Sequence, residues 1–546
     1  MKRSFKILSS AVLGLAAVAC SSPEKMAEMA ENVSVQCDPA VLEAVAGKID
    51  ATVSVTYPAD YFHPKAILEV TPVIVYEGGE AKMAPFTYQG EDVKDNYKVV
   101  PSEGSTVTEK VSFDYVPGME KSYLELRGVV KYKNKAVEMP VKKVADGVNA
   151  TYMLVNKNGK VDYKADNYQE IIKQTAEGQI LYTINSSYVR GSQLKSESIK
   201  NFQAALDEIK ANERKAIINT DIVAYASPDG AEDLNAKLSD KRSETAEKAF
   251  GKVTKEHAVD APVTVISVGE DWDGFKELVS ESDIEDKDLI IRVLSMYSDP
   301  AVREKEIKNM SEVYNSLKKE ILPELRRARF IANVEFTNYS NDELIALIDE
   351  NIDILDEEAL LRAASVVKEN ADKVAIYKKA IEKYNSARAQ YNLAVAYICA
   401  NDLANAKAEL AKAAQDADWQ NAMGVIALRE GDNAAAAKYF AAAGNATSTE
   451  NAAVIDILEG KYADAAAKLA SAENCCNKVL AYILTDQLDK ASAAATCGCA
   501  KTSYLKAVIA ARQGKADDVK KYIDAAGKDS KLAERAAKDI EFAQYR

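Results

Sequence analysis

Histidine is nearly missing from this chain: only His63 and His257 occur among 546 residues, and they lie in different regions. This scarcity argues against a metal site built from several histidines and against a catalytic triad that needs a histidine base. Basic residues are also in deficit, because 70 Lys and Arg stand against 84 Asp and Glu, which gives a net charge of −14. Such a charge repels nucleic acid and anionic membrane surfaces, so we expect neither as a partner.

Long apolar runs are missing as well, since no segment after the N-terminus is apolar enough to cross a membrane. At the N-terminus itself, three basic residues precede an apolar run over residues 7–18 that is too short to span a bilayer. This run ends in LAAVACS (residues 15–21), which resembles a bacterial lipoprotein box with cleavage before Cys20. The resemblance implies a signal peptide over residues 1–19 and an exported body that touches the membrane only through acyl chains on Cys20. An ordinary secretory signal that carries a cysteine is the alternative.

The residues after Cys20 bear on localisation. In lipoproteins of the Bacteroidota type, acidic residues soon after the lipidated cysteine favour export to the cell surface. Here Glu24 is the one acid nearby, and Lys25 stands beside it. We therefore expect a lipid anchor in the outer membrane and a body that faces the periplasm, with surface exposure as the alternative.

Residues 48–147 have the composition of β-strands, with many Val, Tyr and Thr residues in alternating stretches such as ATVSVTYP. Turn signals such as Gly78-Gly79 and Pro117-Gly118 separate these stretches. The pattern predicts an antiparallel β-sandwich of immunoglobulin type, preceded by a tether over residues 20–47. No catalytic residues stand out here, so we expect a spacer or an interaction module.

Residues 150–340 alternate strand and helix signals. The helix predicted over residues 196–211 is amphipathic, with Ile199, Phe202 and Leu206 on one side. The prediction is an α/β domain of order β-α-β-α-β, with a helical insert before a last strand. The predicted strands are residues 179–183, 216–226, 262–268 and 329–336, and the predicted helices are 196–211 and 232–250.

From residue 343 to the C-terminus the chain is rich in alanine and has a self-similar unit. Alignment of the units places four asparagines in register, at separations of 29, 30 and 26 residues: Asn392, Asn421, Asn451 and Asn477. Residues able to adopt a left-handed conformation recur where one helix would turn into the next: Asn401, Gly431, Gly460, Asp486 and Gly514. An alanine follows each of the first four turns, where two helices must approach closely: Ala406, Ala436, Ala465 and Ala491.

These units resemble tetratricopeptide-type repeats, although they are shorter than the usual length of about 34 residues. The resemblance implies an all-α solenoid over residues 343–546, in which residues 343–385 form a less regular leading helical pair. A solenoid presents an extended face to a protein partner. The alternative for an alanine-rich helical stretch is a plain helical bundle.

Four cysteines near the end of the chain form two close pairs, Cys475-Cys476 and Cys497-x-Cys499. In a helical hairpin these positions come together, because the start of the first helix lies near the end of the second. One or two disulfides suit an exported protein. Free buried thiols and a tetrathiolate metal site are the alternatives, but adjacent cysteines depart from the Cys-x2-Cys spacing of zinc sites. We predict no metal and no cofactor.

The stretch YASPDGAEDLNAKLSDKR (residues 225–242) resembles the peptidoglycan-binding turn of the OmpA-like family. The family's glycine, asparagine and arginine stand at family spacing as Gly230, Asn235 and Arg242. The two polar residues are seven apart, or two helical turns, and so share one helix face. A guanidinium there can bind a carboxylate with two hydrogen bonds, and the resemblance implies that the ligand is the diaminopimelate peptide of peptidoglycan.

One position departs from this family, because Ser227 stands where the family has an aspartate that faces the diaminopimelate ammonium. A neutral hydroxyl lacks a charge-assisted hydrogen bond that contributes about 1.5–3 kcal/mol. Asp229 is a candidate substitute. Alternatively the turn is only structural, with Ser227 as the N-cap, Pro228 at the first helical position and Arg242 in a surface ion pair.

A wider resemblance, to a Bacteroidota branch of OmpA-like lipoproteins, covers most of the chain and includes GEDWDGFKELV (residues 269–279) and LPELRRARF (residues 322–330). The acids at 270–273 suggest a carboxylate or metal site, but a solvated helix start explains them more simply.

Two functions compete, and neither is enzymatic. The first is an envelope scaffold whose OmpA-like domain contacts peptidoglycan and whose repeats dock a protein partner. The second is a surface-exposed adhesion or assembly factor whose OmpA-like domain does not bind peptidoglycan.

Overall fold

The computed structural model describes residues 22–257 and 260–546 of the chain. These residues form two compact units. Unit 1 contains the described residues up to Lys164 together with Ala387–Arg546, and unit 2 contains Ala165–Ser386. No helix in the described ranges is long and apolar enough to cross a membrane. The predicted signal peptide and Cys20 lie outside the described residues.

Unit 1 begins with the short helix α1 (Pro23–Glu28), and eleven strands follow in one curled sheet. The strands are β1 (Ser34–Asp38), β2 (Val41–Val45), β3 (Lys48–Tyr57), β4 (Ile67–Tyr76), β5 (Gly79–Lys82), β6 (Phe86–Gln89), β7 (Lys98–Val99), β8 (Ser105–Asp114), β9 (Ser122–Tyr132), β10 (Lys135–Glu138) and β11 (Lys142–Asn149).

The sheet follows the order β1-β3-β2-β11-β9-β4-β6-β7, with β8 paired to β3, β10 to β9 and β5 to β4. Most pairs are antiparallel, as the alternating sequence predicted, and the long β3–β8 pair runs from Lys48 opposite Asp114 to Tyr57 opposite Ser105. In β3 every second side chain is buried, because neighbouring residues of a strand point to opposite faces. The parallel pair β2–β11 joins the β3 side of the sheet to the β9 side. The immunoglobulin-type arrangement stays a prediction.

The stretch predicted as a tether contains regular structure from residue 23 onward. The strands β1 and β2 both pair with β3, and β2 also pairs with β11. Met26 and Leu42 are buried in the core of unit 1. These apolar side chains are too few and too scattered to signal strands from sequence, so their pairing depends on partners far along the chain.

The C-terminal part of unit 1 is entirely helical and consists of five helix pairs and a last helix, which confirms the predicted helical repeats. The pairs are α11 (Ala387–Cys399) with α12 (Leu403–Leu410), α13 (Ala417–Glu430) with α14 (Asn433–Ala443), α15 (Ala446–Leu458) with α16 (Tyr462–Lys468), α17 (Cys476–Leu484) with α18 (Leu488–Ala494), and α19 (Ala500–Arg512) with α20 (Ala516–Ala526); α21 (Ser530–Lys538) follows.

The turn inside each pair has the backbone conformation that the sequence predicted. All five residues have a positive φ, between 57° and 87°: Asn401, Gly431, Gly460, Asp486 and Gly514. Glycine, asparagine and aspartate tolerate this conformation better than other residues, which explains the recurrence of these types. The alanines after the first four turns are completely buried, so the prediction of close helix packing is also confirmed. The sheet and these helices share one hydrophobic core within unit 1.

Unit 2 is built on a four-stranded sheet of order β12-β15-β13-β14. Among the strand pairs described for this sheet, β13–β14 is parallel and the other two are antiparallel. Its elements in chain order are β12 (Ile171–Leu181), α2 (Glu197–Ala211), β13 (Lys215–Ala226), α3 (Glu232–Val253), β14 (Val263–Glu270), the insert α4 (Trp272–Glu281), α5 (Lys287–Met296), α6 (Pro300–Asn309) and α7 (Ser311–Glu320), then β15 (Arg327–Thr337), α8 (Asn341–Asn351), α9 (Glu357–Val366) and α10 (Asn370–Tyr384).

This order of elements is the one that the sequence predicted for the α/β region. The helices α2 and α3 pack on the sheet through a cluster that includes Phe202, Phe250 and Phe330, and the insert has a separate core around Phe275. The helices α8 to α10, predicted to lead the repeats, belong to unit 2 by their contacts. The sheet places the end of β13 beside the start of α3, where the resemblance expected a binding turn.

Candidate functional site

The candidate site is the turn that links β13 to α3, residues 227–231. Four residues were singled out from the sequence as peptidoglycan-binding, and the structure brings them together around this turn: Ser227, Asp229, Asn235 and Arg242. Helix α3 begins at Glu232 with Ala231 as its N-cap, so the alternative in which Ser227 caps the helix is wrong. The turn therefore extends four residues further than a cap at Ser227 would allow.

Ser227 and Asp229 form a hydrogen-bonded cluster with a third residue, Arg326. The Ser227 hydroxyl donates to Asp229 Oδ1 at 2.6 Å. Arg326, just before β15, donates from Nη2 to Asp229 Oδ2 at 3.0 Å and from Nε to Ser227 Oγ at 3.2 Å. Both charged side chains are largely buried, since 12–13% of each remains exposed. The carboxylate predicted as a substitute for the family's aspartate thus has a guanidinium partner within the chain.

Asn235 holds the turn from the first part of α3. Its amide nitrogen lies 3.2 Å from the Ser227 carbonyl, 3.3 Å from the Gly230 carbonyl and 2.8 Å from Glu270 Oε1. Trp272 Nε1 donates to the other oxygen of Glu270 at 2.8 Å. Burial raises the pKa of Glu270, although these two hydrogen bonds oppose the shift. Asn235 therefore serves to fix the backbone of the turn and the end of β14.

Arg242 is the most deeply placed of the four, with none of its surface exposed. Its guanidinium donates to three carbonyls: Nη1 to Tyr225 at 2.8 Å, Nε to Ser186 at 3.0 Å and Nη2 to Thr183 at 3.3 Å. The Tyr182 ring lies 5.0 Å from the guanidinium carbon. Burial lowers the pKa of Arg242 to about 10. The alternative that placed Arg242 in a surface ion pair is wrong, because α3 packs this face against the sheet.

The acidic stretch after β14 is not the solvated helix start that the sequence suggested. Asp271 is buried and accepts hydrogen bonds from the Gly274 N–H and from Arg327 Nε, both at 2.9 Å. Burial raises the pKa of Asp271, while Arg327 opposes the shift. Asp271 caps α4 and forms a buried ion pair with Arg327, so it holds the insert helix against the sheet.

The four C-terminal cysteines lie around the junction of α17, α18 and α19, and all of them are free thiols. Cys476 and Cys499 are the closest pair described, with their sulfurs 3.7 Å apart, and each sulfur lies 3.3 Å from Thr502 Oγ1. Partial burial raises the pKa of Cys499, but hydrogen bonds from the Thr502 hydroxyl and N–H outweigh it and bring the pKa to about 7. Burial raises the pKa of Cys476. Pairing in a disulfide stays a prediction.

Comparison with known proteins adds little. No family model matches the chain. No curated protein matches it. Among solved structures, it is similar to a chain in the "Crystal structure of APC/C hetero-tetramer Cut9-Hcn1". The match covers 63% of this chain and 77% of that chain at 12% sequence identity, with a TM-score of 0.31. A likeness at this level carries no argument about function, so the repeat architecture rests on the helix pairs themselves.

Sequence reasoning missed two residues that complete the candidate site, Arg326 and Arg327, and it considered Glu270 only as part of the acidic stretch 270–273. All three stand in stretches that the wider resemblance singled out, but no spacing rule connects residue 326 with residue 229. The contact arises because β15 lies beside β13 in the sheet. The order of strands in the sheet is what brings the end of β13 and the start of β15 together at this turn.

Proposed function

We propose that this protein is a non-enzymatic envelope lipoprotein that contacts peptidoglycan through the turn after β13. A lipid anchor at Cys20 holds it at the outer membrane, with its body facing the periplasm. Unit 2 acts as the OmpA-like domain, and the repeats of unit 1 scaffold a protein partner. The resemblance of residues 225–242 supports this proposal, together with the geometry of Arg242.

The observation that carries the proposal is the unbalanced charge of Arg242. Its guanidinium is completely buried, yet it meets no carboxylate within ion-pair distance among residues 22–257 and 260–546. A guanidinium has five N–H groups, and three of them have acceptors, so two remain to be satisfied. A buried charge without a counter-ion is costly. A carboxylate of the diaminopimelate peptide would supply both the charge and the acceptors.

The route to Arg242 runs through the loop between β12 and α2. The Thr183 and Ser186 carbonyls that contact Arg242 belong to this loop, and Tyr188 within it is 73% exposed. Displacement of these two carbonyls would open two sides of the guanidinium, while the Tyr225 carbonyl in β13 would keep Nη1 in place. A ligand carboxylate would replace neutral acceptors by a charged one, which forms stronger hydrogen bonds.

The experiment is co-sedimentation of the full chain with purified peptidoglycan. Ser227→Asp restores the charge that the family has, so it should strengthen binding about tenfold or more, as one charged hydrogen bond provides. Arg242→Lys should weaken binding because an ammonium cannot form the bidentate contact. Arg292→Ala, an exposed arginine of α5 in the same unit, is the matched control and should bind as the wild type does.

Fluorescence of Trp272 in the Trp419→Phe background reports on unit 2 alone, since the chain has only two tryptophans. This readout shows whether each variant is folded. A wild-type chain that stays in the supernatant would overturn the proposal, as would equal binding by all the variants.

One observation favours the second candidate, a surface-exposed adhesion or assembly factor that does not bind peptidoglycan. Arg326 already neutralises Asp229, and the neighbouring position has a neutral hydroxyl at Ser227, so the side of the site that would hold the ammonium offers no free charge. Protease treatment of intact cells separates the two candidates. Digestion from outside would support surface exposure and contradict the periplasmic location.

A further inference from the structure

The repeats of unit 1 already hold an extended piece of polypeptide. Residues 155–164, here called the strap, form neither helix nor strand. They belong to unit 1 and contact the first helices of four successive repeats, α11, α13, α15 and α17. The four asparagines that sequence alignment placed in register make these contacts, and we call them the asparagine row: Asn392, Asn421, Asn451 and Asn477.

Three members of the row form the same pair of hydrogen bonds with the backbone of the strap. Asn477 accepts from the Asn156 N–H at 2.7 Å and donates to the Asn156 carbonyl at 2.9 Å. Asn392 does the same with Lys164, at 2.7 and 2.9 Å. Each amide side chain thus pairs with both polar groups of one backbone residue, as a neighbouring β-strand would.

The centre of the strap is held most tightly. Asn451 accepts from the Lys160 N–H at 2.7 Å and donates to the Lys160 carbonyl at 2.8 Å. Asn421 donates to the same carbonyl at 3.0 Å, and its own amide oxygen accepts from Asn451 at 2.9 Å. Asn421 and Asn451 are 2% and 3% exposed, so these bonds lie out of water. Because water competes little there, loss of one partner is costly.

The backbone residues that the row contacts are 156, 160 and 164. They are four apart in each case, so the hydrogen bonds recur at a regular interval along the strap. The row bonds to backbone N–H and carbonyl groups, which every residue except proline offers. Residues outside the row make further contacts with the strap: Arg429 Nε donates to the backbone carbonyl of Asn158, and the Thr447 hydroxyl donates to the Asp162 carboxylate. The row itself therefore has no preference for particular side chains.

One position in the strap does demand a particular residue. Gly159 has φ of +67°, and a Cβ there would lie 2.7 Å from Val425 Cγ2 and 2.9 Å from Val425 Cγ1. Val425 is a completely buried residue of α13, between the contacts made by Asn421 and those of the next repeat. Only glycine fits this approach without strain, so the strap matches the surface that it lies on.

We infer that the asparagine row is a binding site for an extended polypeptide backbone, and that its resident ligand is the strap of the same chain. A partner segment would enter this face only by replacing the strap. The inference specifies the partner site of the proposed scaffold and rests on that part of the proposed function alone. It does not depend on peptidoglycan binding or on the lipid anchor.

Hydrogen exchange on the full purified chain tests the resident ligand. In the wild type, the amides of residues 156, 160 and 164 should be protected. Asn451→Ala should speed exchange across the strap by about tenfold or more, because two buried hydrogen bonds to Lys160 are lost. Asn433→Ala, on the second helix of a repeat and outside the row, is the matched control and should leave strap exchange unchanged. Helix amides outside α15 report that each variant is folded.

A second pair of variants acts on the strap and leaves the helices intact. Lys160→Pro removes the N–H that Asn451 accepts, whereas Lys160→Ala removes only the side chain and its 3.8 Å contact with Glu450. The probe is a fluorescent synthetic peptide with the sequence of residues 155–164. It should bind the Lys160→Pro chain at least about tenfold more tightly than the Lys160→Ala chain, whose own strap stays in place.

Three results would overturn the inference. The first is a wild-type strap that exchanges as fast as an unstructured peptide, and the second is equal peptide binding by the Lys160→Pro and Lys160→Ala chains. The third is strap protection that rises with protein concentration, since this would assign the bound segment to a second copy of the chain. None of these results bears on co-sedimentation with peptidoglycan. Failure of the strap inference is therefore distinguishable from failure of the proposed peptidoglycan contact.

Discussion

Two buried asparagines, Asn235 in unit 2 and Asn451 in unit 1, use the same side-chain chemistry for different purposes. Asn235 bonds the backbone of the turn immediately before its own helix, at residues 227 and 230, and the nearby Glu270. Asn451 bonds Lys160, which lies 291 positions away in the chain. The first contact shapes a local turn, and the second attaches a separate segment. A side-chain amide that hydrogen-bonds to backbone is therefore not in itself evidence of a ligand site. The separation along the chain between the amide and its partner distinguishes a local turn from a bound segment.

The two regions also differ in how their charges are balanced. Around the turn, Asp229 pairs with Arg326 just before β15, Asp271 pairs with Arg327 at the start of β15, and Arg242 hydrogen-bonds to carbonyls. The asparagine row has no charged member and needs none, because amide and backbone groups satisfy one another. The turn should thus be sensitive to loss of a single charge, and the row to loss of a hydrogen bond.

The largest effect is expected at the buried ion pair beside the turn. Arg327→Ala leaves the Asp271 carboxylate buried without a counter-ion, which should destabilise unit 2 by about 3–5 kcal/mol. Denaturation by urea, followed through Trp272 in the Trp419→Phe background, measures this loss. Lys200→Ala, in α2 of the same unit, removes one side of the exposed pair with Glu197, 3.7 Å apart, and should cost less than about 1 kcal/mol. Equal losses would show that the pair beside the turn is not buried in solution.

The next effect concerns the centre of the asparagine row. Asn451→Ala should destabilise unit 1 by about 2 kcal/mol, because Lys160 and Asn421 both lose a buried partner. Asn421→Ala should destabilise unit 1 by less than Asn451→Ala does, because Asn421 makes only one hydrogen bond to Lys160. The double variant should cost less than the two single losses added together, since both side chains share the Lys160 carbonyl and contact each other. Urea denaturation through Trp419 in the Trp272→Phe background measures the three values. Strict additivity would contradict the shared contact.

A smaller effect is expected in the strap itself. Gly159→Ala introduces a Cβ against Val425 and places alanine at a positive φ, which should cost about 1–2 kcal/mol. Val425→Ala in addition should restore part of the strap protection measured by hydrogen exchange, because it removes the steric conflict and leaves the backbone strain. Gly191→Ala is the control, as a Cβ there meets no atom within 4 Å. If Gly159→Ala changed neither stability nor strap exchange, residue 159 would not lie against Val425 in solution.

The smallest effect is a change in thiol reactivity with pH. The folded chain favours the Cys499 thiolate, since the pKa falls from an ordinary value of 9.0 to about 7. Its contribution to stability is therefore present above pH 9 and is lost as the pH falls through about 7. Alkylation of Cys499 by iodoacetamide should be half-maximal near pH 7. Thr502→Val removes the hydroxyl and should move this midpoint upward, whereas an unmoved midpoint would exclude Thr502 as the cause.

Much of the fold could be predicted because its signals are local. The left-handed turn residues from Asn401 to Gly514, the buried alanines and the order of elements in unit 2 all follow from short-range patterns of residue type. The turn after β13 was also located correctly from its motif. The partners of its side chains could not be predicted: Arg242 was expected at an exposed ligand site and is buried against carbonyls. Which atoms meet there depends on the order of strands in the sheet.

The strap shows most clearly where sequence information ends. The chain alone determined that four asparagines recur in register on successive helices, because repetition is visible in one dimension. It gave no reason to connect them with residues 155–164, a mostly polar stretch that looks like an ordinary linker. Only the tertiary structure brought Asn156, Lys160 and Lys164 against that row, since a hydrogen bond to backbone leaves no mark in the sequence of the segment that is bound.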